Sequence, residues 1–273
     1  VMSPQIWNAN FIALSPMFGP FLQFKEYIEN MQKWPTHGDF NRLNVLKGYE
    51  MRTQSGKSIC FVPPHASKAG IEERYETKIY LTGEIPTRLS NWHDFFNALV
   101  WRVFPIAKSA LNYLHFHAQQ MESAHNFKQR SSLRDAATIF DESGVVVVSS
   151  SIKLINMLKE FCWEELFWHE RSAVLSEMRF YVFGHGLYEK VLNPYIGMTG
   201  KGMCFHVSGG FFEQAVPEQL AAVDIMLKLH LLESFSSNAD LTPVPLLGYP
   251  GWDKNNNDKA YYRNKNYFRN RPA

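Results

Sequence analysis

The chain has 273 residues and a formal net charge of +2, with 45% hydrophobic and 20% charged residues. This balance is typical of a folded globular protein and excludes a largely disordered chain. The sequence contains no apolar run of the roughly 18 residues that a membrane-spanning helix needs. Its first residues lack the basic and apolar regions of a signal peptide, so we expect neither secretion nor a membrane partner.

The N-terminal third is predicted to form one short helix over 19–33, followed by a hairpin and a further strand. The hairpin pairs 45–52 with 57–62 around a turn at 53–56, because both segments alternate polar and apolar residues. The further strand covers 75–81.

A longer helix begins at 91–101, whose sequence is NWHDFFNALVW. Its apolar residues recur at helical spacing, which predicts a face turned to the core. A proline at position 105 interrupts the pattern, and a second helix is predicted over 106–121.

The second half of the chain is predicted to mix helices with short strands. A hairpin is expected over 136–148, with a turn that contains Gly144. A strand is expected over 202–207. Helices are predicted over 151–161, 163–175, 178–192 and 217–236. Helices mixed with hairpins, without βαβ alternation, indicate an α+β fold. We therefore expect a mainly helical single domain over 1–248, with short antiparallel hairpins.

The segment 249–273 differs from the rest because it alternates aromatic and basic residues. It carries six cations against two carboxylates, a balance of +4, which leaves −2 for the remaining chain. Such a pattern suits stacking on single-stranded nucleic acid. It also suits a segment packed on the domain, with rings inward and cations reaching into water. The absence of a basic domain face argues against nucleic acid. Burial of Trp252 and Phe268 would count against a partner-binding role.

The first candidate site lies in the helix that begins at Asn91. If Asn91 caps this helix, Asp94 is the third helical residue, where a carboxylate can accept a hydrogen bond from the backbone N–H of the cap. Helix capping alone therefore explains Asp94. His93 and Asn97 lie one turn apart beside the apolar face. An imidazole near a helix N-terminus tends to stay neutral, which suits a base or a metal ligand. The alternative is a hydrogen-bonded interior histidine.

The second candidate site pairs His185 with Glu189, one turn apart on the predicted helix 178–192. Both faces of that helix are apolar, which predicts burial between layers. A buried carboxylate needs a partner, and Gly184 and Gly186 make room for another backbone or a ligand. Metal ligation fits this spacing, and so does an internal ion pair.

Three further residues are candidates for binding a ligand: His115 on the second helix, and Arg134 with Asp135 at the start of the predicted hairpin. On a strand, Arg134 and Asp135 would point to opposite faces. Asp141 is explained as the first residue of a turn.

Several stretches together resemble a bacterial family known as domain of unknown function 3025. They are NWHDFFNALVW at 91–101, RDAATIFDESG at 134–144, FGHGLYEK at 183–190 and PLLGYPGW at 245–252. The resemblance implies a bacterial protein with a single domain. It brings with it no established activity, cofactor or catalytic residue.

The chain lacks a P-loop, a GxGxxG motif, a GxSxG motif and an HExxH motif. Histidines with carboxylates then suit metal-assisted hydrolysis or general acid–base chemistry. The candidate catalytic residues are His93, Asp94, Asn97, His185 and Glu189. Within this set, His93, His185 and Glu189 are the candidate ligands of a divalent metal ion that would act on an unidentified small molecule. The alternative is a non-enzymatic protein that binds a partner through 249–273.

The cysteines indicate a reducing compartment. Cys60, Cys162 and Cys204 are widely spaced and form no CxxC pair. This argues against both a disulfide framework and a structural zinc site, so we expect a cytoplasmic protein with three reduced thiols.

Overall fold

The chain alternates helices with short strands, and the computed structural model describes residues 5–43, 50–64, 71–124 and 129–271, without the side chains of 71–74. The α-helices of these ranges are α1 (Lys25–Glu29), α2 (His37–Leu43), α3 (Ile71–Thr82), α4 (Trp92–Val103), α5 (Pro105–Ala124), α6 (Ser132–Ser143), α7 (Ile152–Lys159), α8 (Arg171–Glu177), α9 (His185–Val191) and α10 (Val216–Glu233). The strands are β1 (Cys60–Val62), β2 (Glu84–Pro86), β3 (Gly144–Ser149), β4 (Met178–Val182), β5 (Thr199–His206) and β6 (Thr242–Pro245). Among the described helices, none is both long and apolar enough to cross a bilayer.

Four strands form the main sheet in the order β4-β3-β5-β6. The central strand β3 is buried along its whole length, as expected for its run of four valines. It pairs antiparallel with β4, where Val147 faces Phe180, and parallel with β5, where Val147 faces Cys204. The strands β1 and β2 form a separate parallel pair. The predicted mainly helical α+β fold is confirmed.

An aromatic core holds α4 beside α9. The ring of Tyr188 on α9 stacks on Phe96 of α4 at 5.7 Å and lies 4.3 Å from Phe21. Its hydroxyl donates to the carbonyl of Val182 at 2.7 Å, so the buried polar group is satisfied. Helix α6 packs against both α5 and α9. The beginnings of α4 and α9 and the end of α6 therefore lie close together.

The hairpin predicted over 136–148 is wrong, because its first half belongs to α6. The side chain of Ser131 accepts a hydrogen bond from the N–H of Arg134 and caps this helix. Ala136, Ala137 and Phe140 then fall on one buried face at helical spacing. Only the second half of the predicted hairpin, β3, is a strand.

The single helix predicted over 178–192 is also wrong. Residues Met178–Val182 form β4, and the helix α9 begins only at His185. A segment that is apolar on both faces fits a strand buried on both sides as well as it fits a helix. Between β4 and α9, the chain at Gly184 contacts the end of α6. A Cβ at this position would lie 2.5 Å from the backbone nitrogens of Ser143 and Gly144.

The strand predicted over 75–81 is helical and belongs to α3. The helix ends at Thr82. The next residue, Gly83, has a φ of +77°, which favours glycine, and its N–H donates to the carbonyl of Ile79 at 2.8 Å. The turn at 53–56 is confirmed by the hydrogen bond from the N–H of Gly56 to the carbonyl of Thr53. Residues 45–49 of the predicted hairpin lie outside the described residues. The prediction for its second strand is wrong beyond residue 59: the N–H of Ile59 donates to the carbonyl of Met51 at 2.9 Å, but Cys60–Val62 pairs in parallel with β2.

The remaining predicted helices and strand agree with the observed ones, apart from small shifts at their ends. The segment 19–33 is a 3₁₀ helix (Pro16–Phe24) followed by α1, and 163–175 contains a π-helix (Glu165–His169) followed by α8. The predictions for 91–101, 106–121, 151–161, 202–207 and 217–236 are confirmed by α4, α5, α7, β5 and α10.

The C-terminal residues lie on the domain with their rings inward. Tyr262, Tyr267 and Phe268 are buried, and Trp252 is half-buried. The hydroxyl of Tyr267 donates to the carbonyl of Met198 at 2.6 Å. The cations of this segment remain nearer the surface, as snorkelling side chains do.

A buried carboxylate joins α10 to the first turn of α5. Asp224 accepts hydrogen bonds from the N–H groups of Ile106 at 3.0 Å and Ala107 at 2.7 Å. Burial raises the pKa of Asp224 to about 7, although both hydrogen bonds lower it. The folded protein therefore binds a proton more tightly at this group than the unfolded chain, whose aspartates have a pKa of about 3.9.

The Asp224→Asn variant tests this linkage, because it keeps the shape of the side chain and cannot ionise. Between pH 4 and pH 7 the folded state holds the proton that the unfolded chain has lost, so stability falls as the pH rises. We expect the free energy of unfolding of the wild type, relative to the variant, to fall by up to about 4 kcal/mol across this range. Urea unfolding at a series of pH values measures it. A difference that is constant with pH would contradict the raised pKa.

Candidate metal centre

Three side chains from three helices converge at one point. They are His93 of α4, Glu142 of α6 and His185 of α9. The Nε2 atoms of the two histidines lie 3.0 Å apart. The Oε1 atom of Glu142 lies 3.6 Å from Nε2 of His93 and 3.4 Å from Nε2 of His185. His185 is buried, whereas the other two are partly exposed, so the cluster opens to solvent on one side.

Helix ends place these side chains. The side chain of Asn91 accepts a hydrogen bond from the N–H of Asp94 at 2.9 Å, which confirms Asn91 as the cap of α4 and puts His93 in the first turn. Glu142 lies in the last turn of α6 and His185 is the first residue of α9. These two ends meet because the N–H of residue 184 donates to the carbonyl of Gly144 at 2.9 Å.

The glycines on either side of His185 admit the end of α6. A Cβ on Gly184 would collide with the backbone of residues 142–144, and a Cβ on Gly186 would lie 2.4 Å from the Oε2 atom of Glu142. The prediction that these glycines make room for another backbone is confirmed. Gly186 also leaves the space that the carboxylate of Glu142 occupies.

Each imidazole has a carboxylate near its other nitrogen. The Nδ1 atom of His93 lies 3.2 Å from Oε2 of Glu189, and Nδ1 of His185 lies 3.7 Å from Oδ2 of Asp141. A carboxylate at Nδ1 favours the tautomer with the proton on Nδ1, which leaves a lone pair on Nε2. Both Nε2 atoms lie within 3.6 Å of the Oε1 atom of Glu142. The arrangement is suited to holding a cation.

The carboxylates next to His185 are ionised. Burial by itself would raise the pKa of Asp141, but the charge and the hydrogen bond of the Lys108 ammonium group outweigh it and lower the pKa. Burial likewise opposes ionisation of Glu142, and contact with His185 lowers its pKa. Lys108 donates to Oδ1 of Asp141 at 2.5 Å.

A small cavity lies beside Asp141, on the side of Lys108. Its volume is about 10 Å³, roughly the space of one water molecule. Tyr75, Asn112 and His115 contribute to its lining. Burial lowers the pKa of His115, which keeps this imidazole neutral. The candidate ligand-binding residue His115 therefore faces this cavity and is not part of the three-residue cluster.

Three of the predicted catalytic residues lie close together: His93, His185 and Glu189. Glu189 contacts the Nδ1 atom of His93, on the side of the ring away from His185. Asp94 instead pairs with Arg88, whose guanidinium donates to the carboxylate at 2.8 and 3.0 Å. Asn97 accepts a hydrogen bond from Lys108 at 2.9 Å and donates to the hydroxyl of a tyrosine. Asn97 therefore does not belong to the three-residue cluster, but it shares Lys108 with Asp141.

The candidates Arg134 and Asp135 lie at the opposite end of α6 from Glu142, roughly 10 Å away along the helix axis. Arg134 pairs with Glu122 of α5, and Asp135 pairs with Arg130 at 3.1 Å. These ion pairs connect neighbouring elements and do not reach the cluster.

The sequence interpretation missed Glu142 and gave Asp141 only a turn role. The signal that could have found them is their position at the C-terminal end of a helix, where the macrodipole disfavours carboxylates. Two acidic residues in the last turn of α6 therefore indicate another reason for their presence. Recognising this requires α6 to be identified as a helix first.

The family model described as "Protein of unknown function (DUF3025)" matches residues 59–272. This range contains every residue of the cluster and the carboxylates behind it. Neither the curated proteins nor the solved structures include a significant match. The chain therefore belongs to the family DUF3025, and the resemblance found in its sequence motifs is confirmed.

Proposed function

We propose that this protein is a metal-dependent hydrolase in which His93, His185 and Glu142 hold a divalent ion. The observation that carries the proposal is the 3.0 Å separation of the two imidazole Nε2 atoms, each with a carboxylate near its Nδ1 atom. Two nitrogen lone pairs cannot face each other at this distance without a proton or a cation between them. The adjacent oxygen of Glu142 makes a cation the better occupant.

The spacing of the three atoms suits a small ion. A point equidistant from the three atoms in their plane lies about 1.9 Å from each, slightly less than the roughly 2.0–2.2 Å of zinc bonds to imidazole and carboxylate. The three atoms are therefore close enough together to bind one ion at the same time. Two histidines and one glutamate leave the fourth position open, which is typical of catalytic zinc.

The charge around the cluster also favours a divalent ion. Asp141, Glu142 and Glu189 lie within contact distance of the imidazoles, and the ammonium group of Lys108 neutralises one of the three carboxylates. With neutral imidazoles, the formal charge of the group is −2. A divalent cation balances this charge and lowers the electrostatic cost of placing carboxylates side by side.

The open coordination position gives the ion its chemical use. A zinc ion held by these residues would lower the pKa of a bound water to about 7, and would thereby supply hydroxide as a nucleophile at neutral pH. The same ion polarises the carbonyl or phosphoryl oxygen that is attacked. The partly exposed side of the cluster, at His93 and Glu142, is where a substrate would approach.

Elemental analysis of protein purified without a nickel column tests this proposal. We expect about one zinc, manganese or iron ion per chain in the wild type, and a chelator-sensitive activity in a screen of hydrolase substrates. The His185→Ala variant should lose the ion, whereas His206→Ala, which changes an exposed histidine on β5, should retain it. A metal-free wild type, or a His185→Ala variant that keeps the ion, would overturn the metal site. A bound metal without hydrolysis of any substrate class would overturn the hydrolase assignment.

The alternative of a partner-binding protein with an exposed C-terminus is less well supported. The burial of Phe268 and Tyr262 counts against it, since stacking on a partner needs exposed rings. The cations Lys259 and Arg263 form ion pairs with Glu164 at 3.1 and 3.2 Å. We place the protein in the cytoplasm, a proposal supported by its three free cysteines.

A further inference from the structure

We propose that Asp141 is a positioning residue that orients the imidazole of His185 toward the metal ion, and that Lys108 holds Asp141 in place for this purpose. The inference rests on the proposed function, because it assigns a task to a carboxylate that does not itself touch the ion. It extends the metal site from three ligands to a chain of contacts that reaches into the protein interior.

The two oxygens of Asp141 have different partners. Oδ1 accepts a hydrogen bond from Lys108 at 2.5 Å, and Oδ2 faces Nδ1 of His185 at 3.7 Å. Lys108 is only 4% exposed and donates a second hydrogen bond to Oδ1 of Asn97 at 2.9 Å. The carboxylate cannot rotate without breaking the buried contact to Lys108, so Oδ2 stays directed at His185.

His185 needs this acceptor. Its Nδ1 atom is buried and has no hydrogen-bond partner among the described residues, and the residue is only 5% exposed. A buried N–H without an acceptor is unfavourable, and Oδ2 of Asp141 is the carboxylate oxygen that faces it. A small displacement of the ring toward Asp141 closes this gap.

The competing explanation is that Lys108 and Asp141 form an ion pair that only joins α5 to α6. The chain offers a matched control for it, because a second buried ion pair joins the same two helices. Glu122 of α5 pairs with Arg134 of α6, and their side chains are 12% and 9% exposed. Removing the charge of Glu122 tests the structural role alone, since this pair lies at the far end of α6.

The experiment compares Asp141→Asn with Glu122→Gln by two measurements. Zinc affinity is measured by competition with a chromophoric chelator, and the tautomer of His185 in the metal-free protein is measured by ¹⁵N NMR of its ring nitrogens. We expect Asp141→Asn to weaken zinc binding by about 10- to 100-fold, as is usual for a partner of a metal ligand. It should also shift His185 away from the tautomer protonated at Nδ1. Glu122→Gln should change neither quantity, although both variants lower the melting temperature.

A double variant covers the case in which Asp141→Asn fails to fold because Lys108 is left without its counter-charge. Lys108→Met combined with Asp141→Asn removes both charges, and it should show the same loss of zinc affinity. Wild-type affinity together with a wild-type tautomer in either variant would overturn the positioning role. If the wild type itself binds no zinc, the proposed function fails, and the tautomer then decides separately whether Asp141 fixes the ring of His185.

Discussion

Replacing Glu142 with glutamine is expected to weaken the binding of a divalent ion by at least about 100-fold while the protein stays folded. The substitution removes the single anionic ligand of the cluster and leaves the two imidazoles in place. The fold should persist, because the side chain of Glu142 is 41% exposed and lies at the end of α6. Isothermal titration with zinc measures the affinity directly.

Thermal unfolding provides a second measurement of the same prediction. An ion at 100 times its dissociation constant stabilises the folded state by about 2.7 kcal/mol, and the Glu142→Gln variant should lose this gain. Glu170→Gln is the matched control, because Glu170 is also partly exposed and pairs with Lys153 away from the cluster. Equal stabilisation of Glu142→Gln and wild type by zinc would show that Glu142 is not a ligand.

The Gly186→Ala variant should disable the same site without altering any ligand. Its Cβ would lie 2.4 Å from Oε2 of Glu142, a flexible and partly exposed group that can swing outward, and 3.0 Å from the backbone carbonyl oxygen of the same residue. The methyl group therefore displaces the carboxylate and should weaken zinc binding by about 10- to 100-fold. The protein should stay folded, because alanine favours a helix over glycine by about 1 kcal/mol, which offsets part of the cost of crowding that carbonyl oxygen.

Gly209→Ala is the control for this variant, because a Cβ at that position meets no atom within 4 Å. It should bind zinc as the wild type does. Wild-type affinity in Gly186→Ala would mean that the carboxylate of Glu142 does not need its observed position, and the three-ligand arrangement would then be incorrect.

The two histidines of the cluster could be predicted because their signals are local. His93 follows a helix cap that the sequence makes plain, and His185 lies between two glycines in an apolar segment. Each signal extends over fewer than about five residues, within the range where spacing and composition are informative. Which carboxylate completes the site depends on how α6 meets α9, and no local pattern encodes that contact.

Glu142 was not predicted as a site residue because the residues before it were predicted to form a strand, whereas they form a helix. The segment 136–140 combines two alanines with a threonine, an isoleucine and a phenylalanine, and the last three favour strands. In the folded chain, burial of Phe140 against the core outweighs that preference and makes the segment helical. As a result, Asp141 and Glu142 were predicted to lie in a turn, whereas they lie in the last turn of α6.

The segment 178–192 shows a second limit of the same kind. An apolar stretch without alternation fits a buried helix and a buried strand equally well. Met178–Val182 forms a strand because it pairs with β3. This partner is more than 25 residues away in the sequence, so a local pattern does not reveal it. Glu189 nonetheless lies one turn after His185, because the helical part of the prediction from residue 185 onward is confirmed.

The most direct test of the metal site is a crystal structure of the zinc-loaded protein, with diffraction recorded on both sides of the zinc absorption edge. We expect one anomalous peak at about 2.0–2.2 Å from Nε2 of His93, Nε2 of His185 and a carboxylate oxygen of Glu142. A saturated crystal without a peak between these three side chains, or with its zinc bound elsewhere, would contradict the proposed metal centre.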